Sequence, residues 1–241
     1  MSSPATSHDA WPFEVIPSLL DEKRQQGGLW HVGAHARIKQ PLVVTGHWIV
    51  TGDEDQGYGL HLRDYEGAAL PELPLPPAKV RDLQFSFGHH MTGYEILHEF
   101  TAVRNLWLIE AEKLPDLNFL AAMPELEFFK LRNMEGMLDL APMRNHKRLR
   151  KLDWWGTYAQ ETLSLSCLDG CDALEILHSI PKVLVDDPDE LITRFPKLRC
   201  VRGQFECPSG DGGVSVLDRL RQARPEVIIT DEYNTLNSVK W

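Results

Sequence analysis

The stretch VRNLWLIEAEKLPDLNFLAAMPELEFFKL, residues 103–131, states one short phrase twice, as VRNLWL from Val103 and as LEFFKL from Leu126. Upstream the phrase is VRDLQF from Val80. Downstream it is LRKLDW from Leu149, LEILHS from Leu174 and LRCVRG from Leu198. Successive starts lie 23, 23, 23, 25 and 24 residues apart. A period in this range marks a stack of like supersecondary units, each too small to bury its own apolar face.

Within each phrase positions 1, 4 and usually 6 are apolar, as in Val103, Leu106 and Leu108, or Leu149, Leu152 and Trp154. Positions 4 and 6 share a face because side chains alternate along a strand, so each phrase predicts a short strand with one face turned inward. In the connector LPDLNFLAAMP, Leu114, Leu117, Leu120 and Met123 fall three apart, which predicts a 3₁₀ or α turn packed on the strand layer. DDPDELITRFP predicts a helix with Asp187 as cap, Pro188 at its first position and Pro196 as its stop. VSVLDRLRQARPE predicts another, followed by a closing strand, EVIIT. Units of this kind, stacked with parallel strands, wind into a right-handed coil.

The flanks read differently. Residues 1–10 are small and polar, a composition that predicts disorder. Phe13, Ile16, Leu19 and Leu20 predict a short helix over residues 11–26, and residues 41–52 and 58–65 predict an antiparallel hairpin around GDEDQG. The four-proline segment PELPLPPAK, residues 71–79, leads into the repeats. The resulting division is an N-terminal cap over 11–79, with Trp48 and Ile49 turned inward, a repeat array over 80–230 and a tail over 231–241.

The phrase LDLAPMRNHKRLRKLDWWG, residues 138–156, resembles a leucine-rich repeat of the internalin type, in which a DLxPL turn precedes an LxxLxL strand. CDALEILHSIP, residues 171–181, resembles the Cys-xx-Leu-xx-Leu variant of the same superfamily. The resemblance covers residues 80–230. It implies an α/β, leucine-rich-repeat-like right-handed solenoid with a parallel sheet on the concave face, short helices or 3₁₀ turns on the convex face and a β-hairpin cap. The family's Asn two residues past the strand phrase is missing: its slots hold Gly88, Ala111, Met134, Thr157, Lys182 and Glu206.

In that register positions 5 and 7 form two columns facing solvent. Position 5 reads Gln84, Trp107, Lys130, Asp153, His178, Arg202, and position 7 reads Ser86, Ile109, Arg132, Trp155, Ile180, Gln204. Two exposed indoles among Lys130, Arg132, Asp153, His178 and Arg202 mark a surface for a protein partner, since Trp and Arg dominate interface energies. The plainer alternative is a self-satisfied sheet, with Lys130 on Asp153, Asp153 on His178 and Arg132 stacked on Trp155. Asp153, His178 and Cys200 occur in an order that suits an activated thiolate, but Cys200 sits at position 3, offset along its strand.

Composition narrows the function. The formal charge of −10 disfavours nucleic acid and anionic membrane and is compatible with a basic protein partner. No apolar run approaches a membrane span, and the first residues have no secretory pattern, which points to a cytoplasmic protein. Cys167, Cys171, Cys200 and Cys207 lack zinc-site spacing and read as buried thiols, so no metal or cofactor is expected. The expectation is a non-catalytic protein-binding module. Its acidity and stand-alone architecture favour an inhibitor or immunity protein acting on a toxin over an adaptor or effector scaffold. The rival is a hydrolase or transferase built around Asp153 and His178.

Overall fold

In a computed structural model of the chain, the described residues are 43–45, 48–53, 57–63, 65, 67–86, 90–132, 136, 138–156, 161–210 and 212–229. The expected helix over residues 11–26 and the two termini lie outside them. So do the Asn slots at 88, 134 and 157.

The protein is a mixed α/β fold built on one large, mostly parallel sheet. Its first strands are β1 (Val43–Thr45), β2 (Trp48–Asp53), β3 (Gly57–Arg63), β4 (Val80–Ser86) and β5 (Asn105–Ile109). Next come β6 (Phe128–Arg132), β7 (Lys151–Trp154), β8 (Thr162–Ser164), β9 (Ile176–Ser179) and β10 (Lys182–Leu184). The last are β11 (Cys200–Arg202), β12 (Phe205–Glu206) and β13 (Ile228–Ile229). Among the described residues the large sheet has the order β1-β2-β3-β4-β5-β6-β7-β9-β11-β13. All six phrases are strands. The expected hairpin is present as antiparallel β2–β3, and β3 pairs in parallel with β4, so the hairpin and the repeats share one sheet.

The apolar positions build the core. Position 1 is buried in every unit (Val80, Val103, Leu126, Leu149, Leu174, Leu198), and so is position 4 (Leu83, Leu106, Phe129, Leu152, Leu177, Val201). The three-residue spacing of the connectors has a backbone counterpart. The amides of Leu114, Leu120, Met123 and Leu126 each donate to the carbonyl three residues back, which is the 3₁₀ pattern. Just before each strand the same bond recurs, as Val103 to Phe100, Leu126 to Met123, Leu149 to His146, Leu174 to Cys171 and Leu198 to Phe195. Short 3₁₀ turns at Tyr94–Glu99, Asn118–Ala122, Ala141–Met143 and Leu165–Leu168 pack one on the next. Helices α1 (Glu190–Arg194) and α2 (Val216–Ala223) continue that layer.

Four details depart from the sequence reading. The run over residues 41–52 is two strands, β1 and β2, paired with each other. Trp48 is buried and donates its indole N–H to the Glu72 carbonyl at 3.0 Å, but Ile49 is only half-buried and is paired with His61, on the opposite face. Alternation along a strand cannot turn both inward. Helix α1 begins at Glu190 instead of Pro188, because the Asp187 carboxylate accepts the Asp189 amide at 2.7 Å and forms its own turn first. Finally, β12-β10-β8 form a second, three-stranded parallel sheet. Its inward residues alternate as Leu163/Leu165, Val183/Val185 and Phe205/Cys207.

That second sheet accounts for the weak sixth position of the last phrases. Ser179 is buried and donates its hydroxyl to the Pro181 carbonyl at 2.7 Å, where the chain turns toward β10. A Cβ on Gly203 would stand 2.9 Å from the Ser179 carbonyl, and its φ is +151°. Large side chains are excluded there by backbone. We expect Gly203→Ala to cost about 1–3 kcal/mol, read as a lowered urea midpoint. A midpoint equal to wild type would show that the crossing relaxes freely.

Candidate functional site

Parallel pairing places one residue of each strand at the same level. The level at position 5 runs His61, Gln84, Trp107, Lys130, Asp153, His178, Arg202. The sequence predicts a solvent-facing column here, and the structure corrects that. Gln84, Trp107 and Asp153 are buried, and His178 is 0 % exposed. The cause is contact along the ladder, since a side chain longer than the strand spacing of roughly 4.8 Å lies over its neighbour. Trp107 packs its edge on Phe128 at 5.6 Å between ring centres, and with Ile109 they form a small second apolar cluster.

The three pairings of the self-satisfied sheet are all present. Lys130 Nζ lies 3.1 Å from Asp153 Oδ2 and sits over the rings of Trp107 (5.5 Å) and Trp155 (5.7 Å). Asp153 Oδ1 accepts the Trp155 indole N–H at 2.8 Å and is 2.5 Å from His178 Nδ1. The Arg132 guanidinium covers the Trp155 ring at 4.6 Å. A further contact was not anticipated: Arg202 Nη1 lies 2.9 Å from His178 Nε2.

These bonds fix the histidine's state. Arginine only donates, so Nε2 must accept, and Nδ1 carries the proton that it donates to Asp153. His178 is therefore a neutral imidazole. Burial pushes its pKa down, and Arg202 and Lys151 add to that against the pull of Asp153. Burial alone would raise the Asp153 carboxyl, but Lys130 and His178 outweigh it and hold the group well below the usual carboxylate range. Lys151, packed over the Phe128 ring at 5.0 Å, is pushed down to about 8 by burial.

With both ring nitrogens engaged, His178 is poorly placed as a general base. Cys200 pairs in register with Ile176, two residues from the His178 level, and burial pushes its thiol up to about 11. The Asp153–His178–Cys200 order thus does not assemble; Arg202 takes the place of the thiol. Cys167 and Cys171 lie at the other side of the core. Cys171 donates to the Met143 carbonyl at 3.3 Å, and burial pushes the two thiols up to about 12 and 11. Among the described residues no three His, Cys, Asp or Glu side chains are grouped to hold a metal.

What reaches solvent is a thinner layer above the ladder. Arg132, Trp155 and Arg202 are half-buried, Gln204 is exposed, and Ile180 is 48 % exposed. At the last strands this layer borders a cavity of about 570 Å³ lined by Ile180, Arg202, Gln204, Leu217, Arg221 and Ile229. Leu217 and Arg221 were missed by the sequence reading. Their four-residue spacing on a predicted helix, which puts them on one face, is the signal that locates them. No protein-family model matches this chain, and no curated protein matches its sequence.

At the other end of the face Asp82 is buried, accepts from Asn105 Nδ2 at 2.6 Å, and is pushed up to about 7 by burial. A raised folded-state pKa means that the folded state holds an extra proton between roughly pH 4 and 7. Its stabilisation is complete below that window and is lost as pH rises through 7. We expect Asp82→Asn to match wild type near pH 4 and to be more stable at pH 8.5 by about 1–4 kcal/mol. The check is urea denaturation across that range; parallel pH profiles for the two proteins would contradict the assignment.

Proposed function

We propose that the chain is a divergent leucine-rich-repeat-like solenoid, capped by the β2–β3 hairpin, and that it binds a protein partner through the ladder face. The arrangement that supports the reading most is the Arg132–Trp155 stack, held from beneath by Asp153 and set beside the exposed Ile180. An indole and a guanidinium fixed in one geometry lose little further freedom on association. They are also the side chains most often dominant at interfaces. In this reading Trp107, Asp153 and His178 position the contact layer, and Lys130, Arg132, Trp155 and Arg202 belong to it with Ile180.

The module is read as non-catalytic, and the sealed imidazole of His178 is the support for that. Neutralising a toxin by covering its surface requires no chemistry, which makes an inhibitor or immunity role the favoured one in this class. Among the described residues no helix is long and apolar enough to cross a membrane. A cytoplasmic location, where the four buried thiols stay reduced, is part of the proposal.

Affinity capture from the native host, with wild type beside an Arg132→Glu, Ile180→Asp double variant, tests the reading. We expect a specific partner to be retained by wild type and weakened at least about tenfold by the variant, with the fold unchanged. Equal retention would remove the ladder face as the binding surface. An enzymatic activity abolished by His178→Ala in a folded protein would overturn the non-catalytic assignment.

A further inference from the structure

We infer that the segment bound by this face is acidic and carries an apolar side chain, with its carboxylates on the cationic centre of the ladder and the apolar group in the cavity at the last strands. This rests on the protein-binding reading above and adds the chemistry of the partner.

The first observation is the sign of the face. At positions 3, 5 and 7 of β6, β7, β9 and β11 stand four cations, Lys130, Arg132, Lys151 and Arg202, against one carboxylate, Asp153. His178 adds no charge, because its Nε2 accepts from Arg202. The chain as a whole carries −10, so these strand positions are opposite in sign to the molecule. Whole-chain charge suggests a basic partner. Contact is decided locally, however, since charges are screened over about 8 Å at physiological salt.

The second is the cavity. Its volume of about 570 Å³ is that of a small-ligand or side-chain socket, and Ile180, Leu217 and Ile229 supply aliphatic wall. Arg202 and Arg221 border it, and among the described residues no acidic side chain lines it. Guanidinium is the group best shaped to take a carboxylate by paired hydrogen bonds. Arg202 is also oriented from below by its hydrogen bond to His178 Nε2. Arg221 is paired with Asp218 on its own helix, an exposed contact of the kind worth at most about 1 kcal/mol and easily exchanged.

The third separates a peptide from a polyanion such as nucleic acid. Nucleobases need open aromatic faces to stack on. Here the Trp155 ring is covered by Arg132 and Lys130, and Trp107 is buried. A socket with three aliphatic side chains in its wall suits an apolar side chain, which a phosphodiester backbone does not carry.

Panning the full-length protein against a displayed random-peptide library at physiological salt tests the inference. We expect selected peptides to combine Asp or Glu with a large apolar residue. A synthetic copy should bind about tenfold or more weakly to an Arg132→Gln, Arg221→Gln variant with unchanged melting temperature, and normally to Lys197→Gln. Selection of basic or neutral peptides would overturn the acidic assignment, as would acidic peptides indifferent to the arginine substitutions or tighter binding of single-stranded DNA. If no peptide is selected while capture of the native partner still depends on Arg132 and Ile180, the acidic segment falls and the protein-binding reading stands. If neither is observed, both fall.

Discussion

Every repeat of this protein must bring its chain back to the same height, because the strand of each repeat pairs in parallel with that of the repeat before it. That requirement governs the rest. The amides of Arg104, Glu127, Arg150, Glu175 and Arg199 each donate to the carbonyl of the matching residue one unit earlier, at 2.7–2.8 Å. Residues of equal position therefore stand side by side, one strand spacing apart. Position 2 shows what this demands of a sequence. From the second unit on it reads Arg104, Glu127, Arg150, Glu175, Arg199, with Arg104–Glu127 at 3.8 Å, Arg150–Glu175 at 2.7 Å and Arg199–Glu175 at 3.6 Å. Like charges directly opposite would be repulsive; alternation turns the same proximity into pairing.

The ladder at position 5 meets the same demand in a drier setting. A buried carboxylate is costly unless its oxygens are satisfied. Asp153 receives the Trp155 indole, the His178 imidazole and the Lys130 ammonium, each from an adjacent strand or from two residues along its own. Because those partners come from β6, from β9 and from the residue just past β7, the carboxylate ties three units together on the face away from the main core. It also orients Trp155, and through His178 it orients Arg202. Removing the charge would take from Lys130 the carboxylate 3.1 Å from its Nζ, so the framework and the proposed binding surface share one electrostatic centre.

How much of this could be read from residues alone follows from what periodicity encodes. The period located the six strands, and leucines three apart located the 3₁₀ layer, because both are statements about which way a side chain points. Ser215, which accepts the Asp218 amide, is a cap of ordinary type. Coverage is another matter. Alternation says that Trp107, Asp153 and His178 face away from the core; it says nothing of Lys130 lying over Trp107 or of Trp155 packing edge-to-face against His178. The second sheet was hidden for a related reason. Its strands, two or three residues long, sit inside the repeat interval, and their alternation spans a single pair such as Val183 and Val185.

The burial of the ladder changes what the columns can mean. Had Trp107, Asp153 and His178 been open to water, each would have been a separate contact, and the single carboxylate would have offset a neighbouring cation at the surface. Buried, Asp153 spends its charge inward, on His178, Trp155 and one side of Lys130. At the boundary stand Arg132, stacked on Trp155, and Arg202, hydrogen-bonded to the neutral His178. A protein with an excess of acidic residues thus presents cations along this face. That inversion follows from packing, and net charge conceals it.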